Sequence, residues 1–437
     1  MGKLDLSTYK NVLSVRAAWR FDIATMLMRM YGYMFTIGTV SMLTLSGYSA
    51  FIAGTIAATL SLATFLVAPR IGKIIDERGQ HTIVPVVSAI SLAGLAILIA
   101  TVVMRLPLPL AYIGAFLIGT APNAQALART RWAFLIKTKK FGAEKNDVRS
   151  AYAYEGVLED IAFTCSPAIN IALAAAIHPT AGMIFGGLCL IAGAVILHGA
   201  RNTEPAVGWQ PADVEATDQS DDAASSIVAR YDRFNNPNSV WVTKKNRSVF
   251  VLSGSVRTLF VCTLLLGLVF ASYDSTTVVF CQSIGQTTLA SFDMAMSGIL
   301  SAVAGLIFGM MRFKCSTSKV LLNAGAMFGI TYAATALVFN DISLLMFTAL
   351  ASPFYAPFFI TANTVCEKCI PGARLTEGIT WMNAGLTAGF ALGTTVAGLI
   401  MDTFGGPSGY YVVGIAGLLI PVTIFIAQGV LNRDLGE

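Results

Sequence analysis

In this chain of 437 residues, the side chains best placed to do chemistry are charges set inside long apolar runs: Arg29, Glu155, Glu159, Asp160 and Asp274. At bilayer depth an ionisable group costs at least about 2.5–3.5 kcal/mol, so it must face the protein interior or a wet cavity. Pairing, proton transfer and cargo recognition are the chemistries open to it. Arg29 stands about nine residues into its run, roughly 13 Å deep at helical rise. Glu155 and Glu159 are four residues apart and share one helix face, with Asp160 turned about 100° away. Glu159 and Asp160 reach the depth of Arg29, which predicts that Arg29 pairs with one of them. Glu155 lies nearer the basic end, close to Arg129 or Arg131, where a gating or structural pair is expected. Asp274 follows Tyr273 and lies about 25 Å deeper than Arg257. With no cation near it in sequence, it could carry a proton; the alternative is a wetted position in an outer vestibule. Asp293 and Asp402 fall at outer helix ends, where solvation is expected.

Uncharged polar groups mark two further places. Pro122 is followed by Asn123 and Gln125, and Pro357 by Thr361 and Asn363. A proline inside a spanning helix is tolerated where neighbours or water satisfy the freed backbone, as in a cavity lining; it also fits an ordinary packing kink. The first run is rich in Met26, Met28, Met30, Tyr31, Tyr33, Met34 and Phe35, a lining suited to apolar molecules and equally to plain packing. No catalytic constellation is visible, and an enzyme is not expected. There is no phosphate-binding loop that would drive ATP-dependent pumping. The histidines His81, His178 and His198 are far apart in sequence, and Cys366–Cys369 is a CxxC without a second ligand pair, so no cofactor or metal is expected.

The elements that position these groups follow from composition. Hydrophobic residues make up 55% of the chain, charged residues only 12%, and mean hydropathy is +0.69. A soluble surface of this size needs roughly a quarter charged residues. The chain is therefore an all-α integral membrane protein. Twelve runs reach the length of about 20 residues needed to cross a bilayer: 20–46, 49–70, 82–104, 107–130, 150–174, 180–200, 251–281, 290–311, 318–338, 342–366, 375–401 and 409–431. All of the 29 basic residues except Arg29, Arg105 and Arg257 fall at the N-terminus, in alternate loops or at the C-terminus. The net charge of +5 is thus a topology signal and not a nucleic-acid footprint. It predicts a multi-pass protein of the cytoplasmic membrane with both termini inside and no cleavable signal. The Asn246-Arg247-Ser248 sequon would then face the cytoplasm, unglycosylated.

Residues 201–247 form the longest polar stretch, acidic at first (Asp213, Glu215, Asp218) and basic at the end (Lys244, Lys245, Arg247). They divide the chain into a six-helix half at 1–200, a flexible linker and a second half at 248–437. Weak internal similarity, with a proline-bearing run leading through a basic loop into a small-residue-rich run in each half, matches the repeat plan of secondary transporters.

Between runs 2 and 3 the chain reads Gly72-Lys73-Ile74-Ile75-Asp76-Glu77-Arg78-Gly79-Gln80-His81. This resembles the signature loop of the major facilitator superfamily, with Glu77, Gln80 and His81 where the family commonly has basic residues. The resemblance implies two pseudo-symmetric six-helix halves. It also implies a gating role for Gly72, Asp76, Arg78 and Gly79, in which Asp76 meets the start of helix 11 near Leu375–Glu377. Glu155, Arg129 and Arg131 join that gating set. The Arg29 region, Arg129-Thr130-Arg131-Trp132, Ala151-Tyr152-Ala153-Tyr154-Glu155 and Thr376-Glu377-Gly378-Ile379-Thr380-Trp381 are similar to bacterial efflux or drug-resistance-like permeases. The antiporter signature of helix 5 is present in degraded form, as Gly156 and Cys165-Ser166-Pro167.

These features together predict a monomeric secondary transporter. It would export a small organic or drug-like compound against protons, with Arg29, Asn123, Gln125, Glu159, Asp160, Asp274 and Asn363 as candidate cargo or proton contacts. Two alternatives stand beside it. One is movement of a polar metabolite, with Arg29 binding an anionic group; the other is a receptor or scaffold that transports nothing.

Overall fold

The computed structural model describes residues 12–138, 141, 148–205, 248–311, 316–370 and 375–436. These residues are almost entirely helical, as apolar backbone must be when its N–H and C=O groups have no water to bond. In chain order the helices are α1 (Arg16–Leu45), α2 (Ala50–Arg78), α3 (Gln80–Val103), α4 in two segments (Pro109–Ile118 and Ala124–Lys137), α5 (Val148–Ala176) and α6 (Ala181–Gly199). The second set is α7 (Gly254–Ser283), α8 (Thr287–Met310), α9 (Thr317–Ala333), α10 in two segments (Asp341–Ala351 and Tyr355–Cys369), α11 (Leu375–Phe404) and α12 (Gly409–Ile426), closed by the short α13 (Gln428–Leu435).

Ten helices among the described residues are long and apolar enough to cross a membrane. The two other expected runs fall on α1, whose 30 residues include Arg16, Arg20, Asp22 and Arg29, and on the broken α4. All twelve expected runs are present, with shifted ends. Three shifts matter. First, α2 runs on through the signature segment to Arg78, so Gly72–Arg78 is helix and not loop; the turn into α3 is made at Gly79 alone, whose φ of 90° suits glycine. Second, the expected kink at Pro122 is a full break, and Asn123 restarts the helix by accepting a hydrogen bond from the Ala126 N–H at 3.0 Å. Third, α8 begins at Thr287, earlier than expected.

Two apolar cores hold the molecule, one built within α1–α6 and one within α7–α12, with Ile37, Ala168 and Ile171 of the first set packed into the second core. The two sets meet along a seam where α2 lies on α11, α5 on α8 and α1 on α7. At the end away from the basic loops, α2 and α11 pack backbone to backbone. A Cβ on Gly398 would stand 2.9 Å from Phe51 Cα, and one on Gly54 would strike the Thr394 carbonyl. Asp402, expected to be merely solvated, is exposed but accepts from the backbone N–H groups of Ala50 and Phe51, each at 2.9 Å. A carboxylate from α11 thereby caps the positive end of α2 across the seam. Loss of a cap costs about 0.5–2 kcal/mol. In a Met401→Cys background, Asp402→Ala should speed labelling of this buried position by an impermeant maleimide roughly tenfold. An unchanged rate would show that the cap does not hold the seam.

Candidate functional site

One polar cluster forms where α1, α4 and α5 converge. Asp22, Arg29 and Tyr33 fall on one face of α1, at seven- and four-residue spacings, and Glu155 and Glu159 on one face of α5. Arg29 is 3% exposed and forms ion pairs with both glutamates: its Nη2 with Glu155 and its Nε with Glu159 at 2.7 Å. Tyr33 donates to Glu159. The Trp132 indole N–H donates to Asp22 Oδ1 and Glu155 Oε1, each at 3.1 Å. Of the two predicted partners of Arg29, Glu159 is confirmed; the side chain of Asp160 lies outside the described residues. Glu155 departs from expectation, because it joins Arg29 and not Arg129 or Arg131. Arg131 is drawn away by the end of α6, and Arg129 is half-buried in α4. Asp22 and Trp132 were missed. The two-turn spacing of Asp22 from Arg29 was the signal for the first; the second stands in the Arg129-Thr130-Arg131-Trp132 stretch, which marked it as a motif residue and not as a partner of the carboxyls.

A second cluster lies in the other half. Asp274 is half-buried on α7, and no hydrogen bond to its side chain is found among the described residues. It sits one turn beyond Phe270 on the same face. Asp293 corrects the expectation of solvent exposure. It is fully buried and accepts from Tyr273 Oη at 2.8 Å and Thr348 Oγ1 at 2.6 Å. The early start of α8 carries it nearly two turns into the helix, hence inside the protein. Aromatic rings join the clusters across the seam: Tyr33 to Phe163 at 5.3 Å, Phe163 to Phe270 at 6.4 Å, Phe270 to Tyr355 at 4.7 Å between centroids. The remaining polar candidates stand apart from these contacts. Asn123 is exposed and serves as a helix cap, Gln125 is half-buried, and Asn363 donates to the Phe359 carbonyl of its own helix at 2.9 Å.

The gating residues are only partly brought together. Gly72 is helical with open space beside it, Arg78 is exposed in the last turn of α2, and Lys73 pairs with Glu77 on the surface. The side chain of Asp76, and those of Leu375 and Thr376 that it was expected to approach, lie outside the described residues. Glu377 instead accepts from Ser248 Oγ and the Val249 N–H, at 2.7 and 2.8 Å, within its own half. Arg131, fully buried, donates to Gln80 Oε1 (2.7 Å), the Ala200 carbonyl (2.7 Å) and Thr203 Oγ1 (2.8 Å), tying α3, α4 and the end of α6 together.

Beside it, Glu204 accepts from the His81 N–H at 3.0 Å and lies 2.9 Å from His81 Nδ1. Burial alone would raise the Glu204 carboxyl. The His81 bonds, with the His81 and Arg131 charges, outweigh burial and hold it below its ordinary value. A carboxylate depressed on folding adds stability that is present above the unfolded glutamate value, about 4.3. That stability is lost as pH falls through the folded value. The melting temperature of Glu204→Gln should therefore lie below that of the wild type at neutral pH, with the gap closing under acid; a gap constant with pH would contradict this.

No family model and no curated protein matches the sequence. Solved structures do match over nearly the whole chain. A POT family transporter, PepTSo, aligns at a TM-score of 0.67 with 12% identity, covering 96% of this chain and 98% of its own. The nucleoside transporter NupG aligns at 0.60 and 13%, covering 95% and 99%. A bacterial homologue of the iron transporter ferroportin aligns at 0.64 and 14%, covering 94% and 98%. The chain has the major facilitator fold. Within that fold α1, α5, α7 and α10 bring Tyr33, Phe163, Phe270 and Tyr355 to the seam between the halves, with Arg29 and Glu159 beside Tyr33. At 12–14% identity the likeness carries the facilitator fold alone, and peptides, nucleosides and iron remain the business of those proteins.

Proposed function

We propose that this facilitator-fold protein is a secondary active transporter that works by alternating access. It exports a small organic or drug-like compound in exchange for protons across the cytoplasmic membrane, as a monomer with both termini inside. The observation that carries this reading is the seam itself. Ionisable and aromatic side chains from both halves meet there, with Glu159, Tyr33 and Phe163 on one side and Phe270 and Tyr355 on the other. Meanwhile α2 and α11 press the halves together toward one face. Two rigid halves hinged on such a seam can present mid-depth groups to either side in turn. Asp274, a carboxyl with no hydrogen-bond partner found, is suited to carry a proton. The engagement of Arg29 by two carboxylates favours this cargo over an organic anion, which would need that guanidinium for itself.

The test uses purified protein in liposomes under a pH gradient, with ethidium, a nucleoside, a dipeptide and a dicarboxylate offered in turn. At least one compound should collapse the gradient, and Asp274→Asn should cut that coupled flux at least about tenfold. Flux of the dicarboxylate alone would favour the anion reading. Proton movement with none of them would favour a scaffold. Coupled flux undiminished in Asp274→Asn would remove that residue from the proton path.

A further inference from the structure

The first-half cluster carries a surplus of acidic groups. Three carboxyls, Asp22, Glu155 and Glu159, surround one guanidinium. Asp22 and Glu155 are 7% and 0% exposed. The other groups facing them are the Trp132 N–H from α4, which bonds to both, and the Tyr154 hydroxyl from α5. Tyr33 of α1 is turned to Glu159, and Thr25 of α1 to its own helix backbone. Among the described residues, Arg29 is the cation that acts on the pair. One N–H bridges the two carboxyls: the Trp132 indole nitrogen lies 3.1 Å from an oxygen of each. Like charges sharing one desolvated site cannot both remain ionised there.

We propose that Asp22 and Glu155 form a second proton-binding site, separate from Asp274, which holds one proton between the two carboxyls and transmits its loss to Glu159 through Arg29. Arg29 is the element that makes the site useful. Its guanidinium is shared between Glu155, sealed in the cluster, and Glu159, whose side chain is 19% exposed and bonded by the seam residue Tyr33. When the proton leaves for solvent, the Asp22–Glu155 pair gains one negative charge and draws Arg29 inward. Glu159 is then left as a less compensated anion on the seam, ready for a cationic group. When the proton returns, Arg29 is released toward Glu159 and closes it. The proton and a cationic group of the cargo thus compete through one side chain. This coupling role rests on the transport reading; the proton site itself does not.

The proton site is tested without any cargo. Proton uptake by the solubilised protein is counted between about pH 9 and about pH 5, with the wild type compared with Asp22→Asn, Glu155→Gln and Asp274→Asn. Asp22→Asn should take up one proton fewer than the wild type. A second measurement needs no variant to fold: the infrared pH-difference spectrum of the wild type should show the carbonyl stretch of a protonated carboxyl changing over that range. A component of this band should persist in Asp274→Asn and be lost when Asp22→Asn is added to that variant. An Asp274→Asn protein without the band, or a double variant that keeps both the full band and the proton count of Asp274→Asn, would overturn the proposal. A titrating pair in a protein that moves no protons across liposomes would sink the transport reading and leave the proton site standing.

Discussion

Arg29→Ala should destabilise the solubilised protein by about 3–5 kcal/mol, the cost of removing one partner from a buried ion pair. The magnitude comes from what remains and not from what is lost. Two glutamates stay in a membrane interior with their cation gone, and Asp22 stays beside them. The double variant Arg29→Ala/Glu155→Gln tells this apart from lost packing of the long arginine side chain. If uncompensated charge is the cause, the second substitution restores much of the stability, because an amide needs no counter-ion. If packing is the cause, the second substitution restores nothing. Arg29→Lys should fall between the extremes, since an ammonium is a point charge and not a fork able to bond two carboxylates in fixed directions. Thermal unfolding in detergent reads all three. An Arg29→Ala protein that melts like the wild type would mean that the cluster is not the electrostatic centre of the first half.

Gly398→Val should open the seam at the face away from the basic loops. A Cβ at Gly398 already stands 2.9 Å from Phe51 Cα, and the Ala50 backbone carbonyl is in the way as well. Both obstacles are main chain and cannot swing aside. Close backbone approach of this kind is what small residues supply where helices pack in a membrane. Overpacking costs about 1–3 kcal/mol, here charged only to the state in which α2 and α11 touch. The equilibrium between closed and open seams should shift about fivefold to a hundredfold or more toward open. The control is Gly72→Val on the facing helix α2, where a Cβ meets nothing within 4 Å. Accessibility of a cysteine at Met401 should rise in the first variant and not in the second. Equal behaviour of the two would show that the α2–α11 contact does not set which face is closed.

The parts of this molecule legible in its sequence are those that follow from a periodicity or a solvent. Apolar run length and the alternation of Lys and Arg gave twelve crossings, because the bilayer demands both. Arg29 and Glu159 were found as partners because depth along two helices is a simple product of rise and residue number. What stayed hidden depended on where helices begin and which neighbour wins. Asp293 was misplaced by three residues of helix start, enough to move it from solvent to the interior. Position near the basic end set Glu155 beside Arg129 or Arg131. The end of α6, with the Ala200 carbonyl and the Thr203 hydroxyl both turned to it, competes more strongly for Arg131. Asp402 reads as a surface acid until α2 is seen ending its N-terminus beneath it. The signature segment was legible as a motif but not as a shape, since its helix-forming residues let α2 continue to Arg78 before Gly79 turns it.

If the two halves rock about the seam, it opens to one side as it closes to the other. Pulsed electron-resonance distances between spin labels test this most directly, in a background with the native cysteines replaced. One pair is placed at the exposed positions Val103 and Thr403, at the face away from the basic loops, and the other at exposed Lys73 and Lys319, at the basic face. Introducing Gly398→Val should lengthen the first distance and shorten the second. Distances that both lengthen, or a second pair that ignores the opening of the first, would contradict alternating access in this protein.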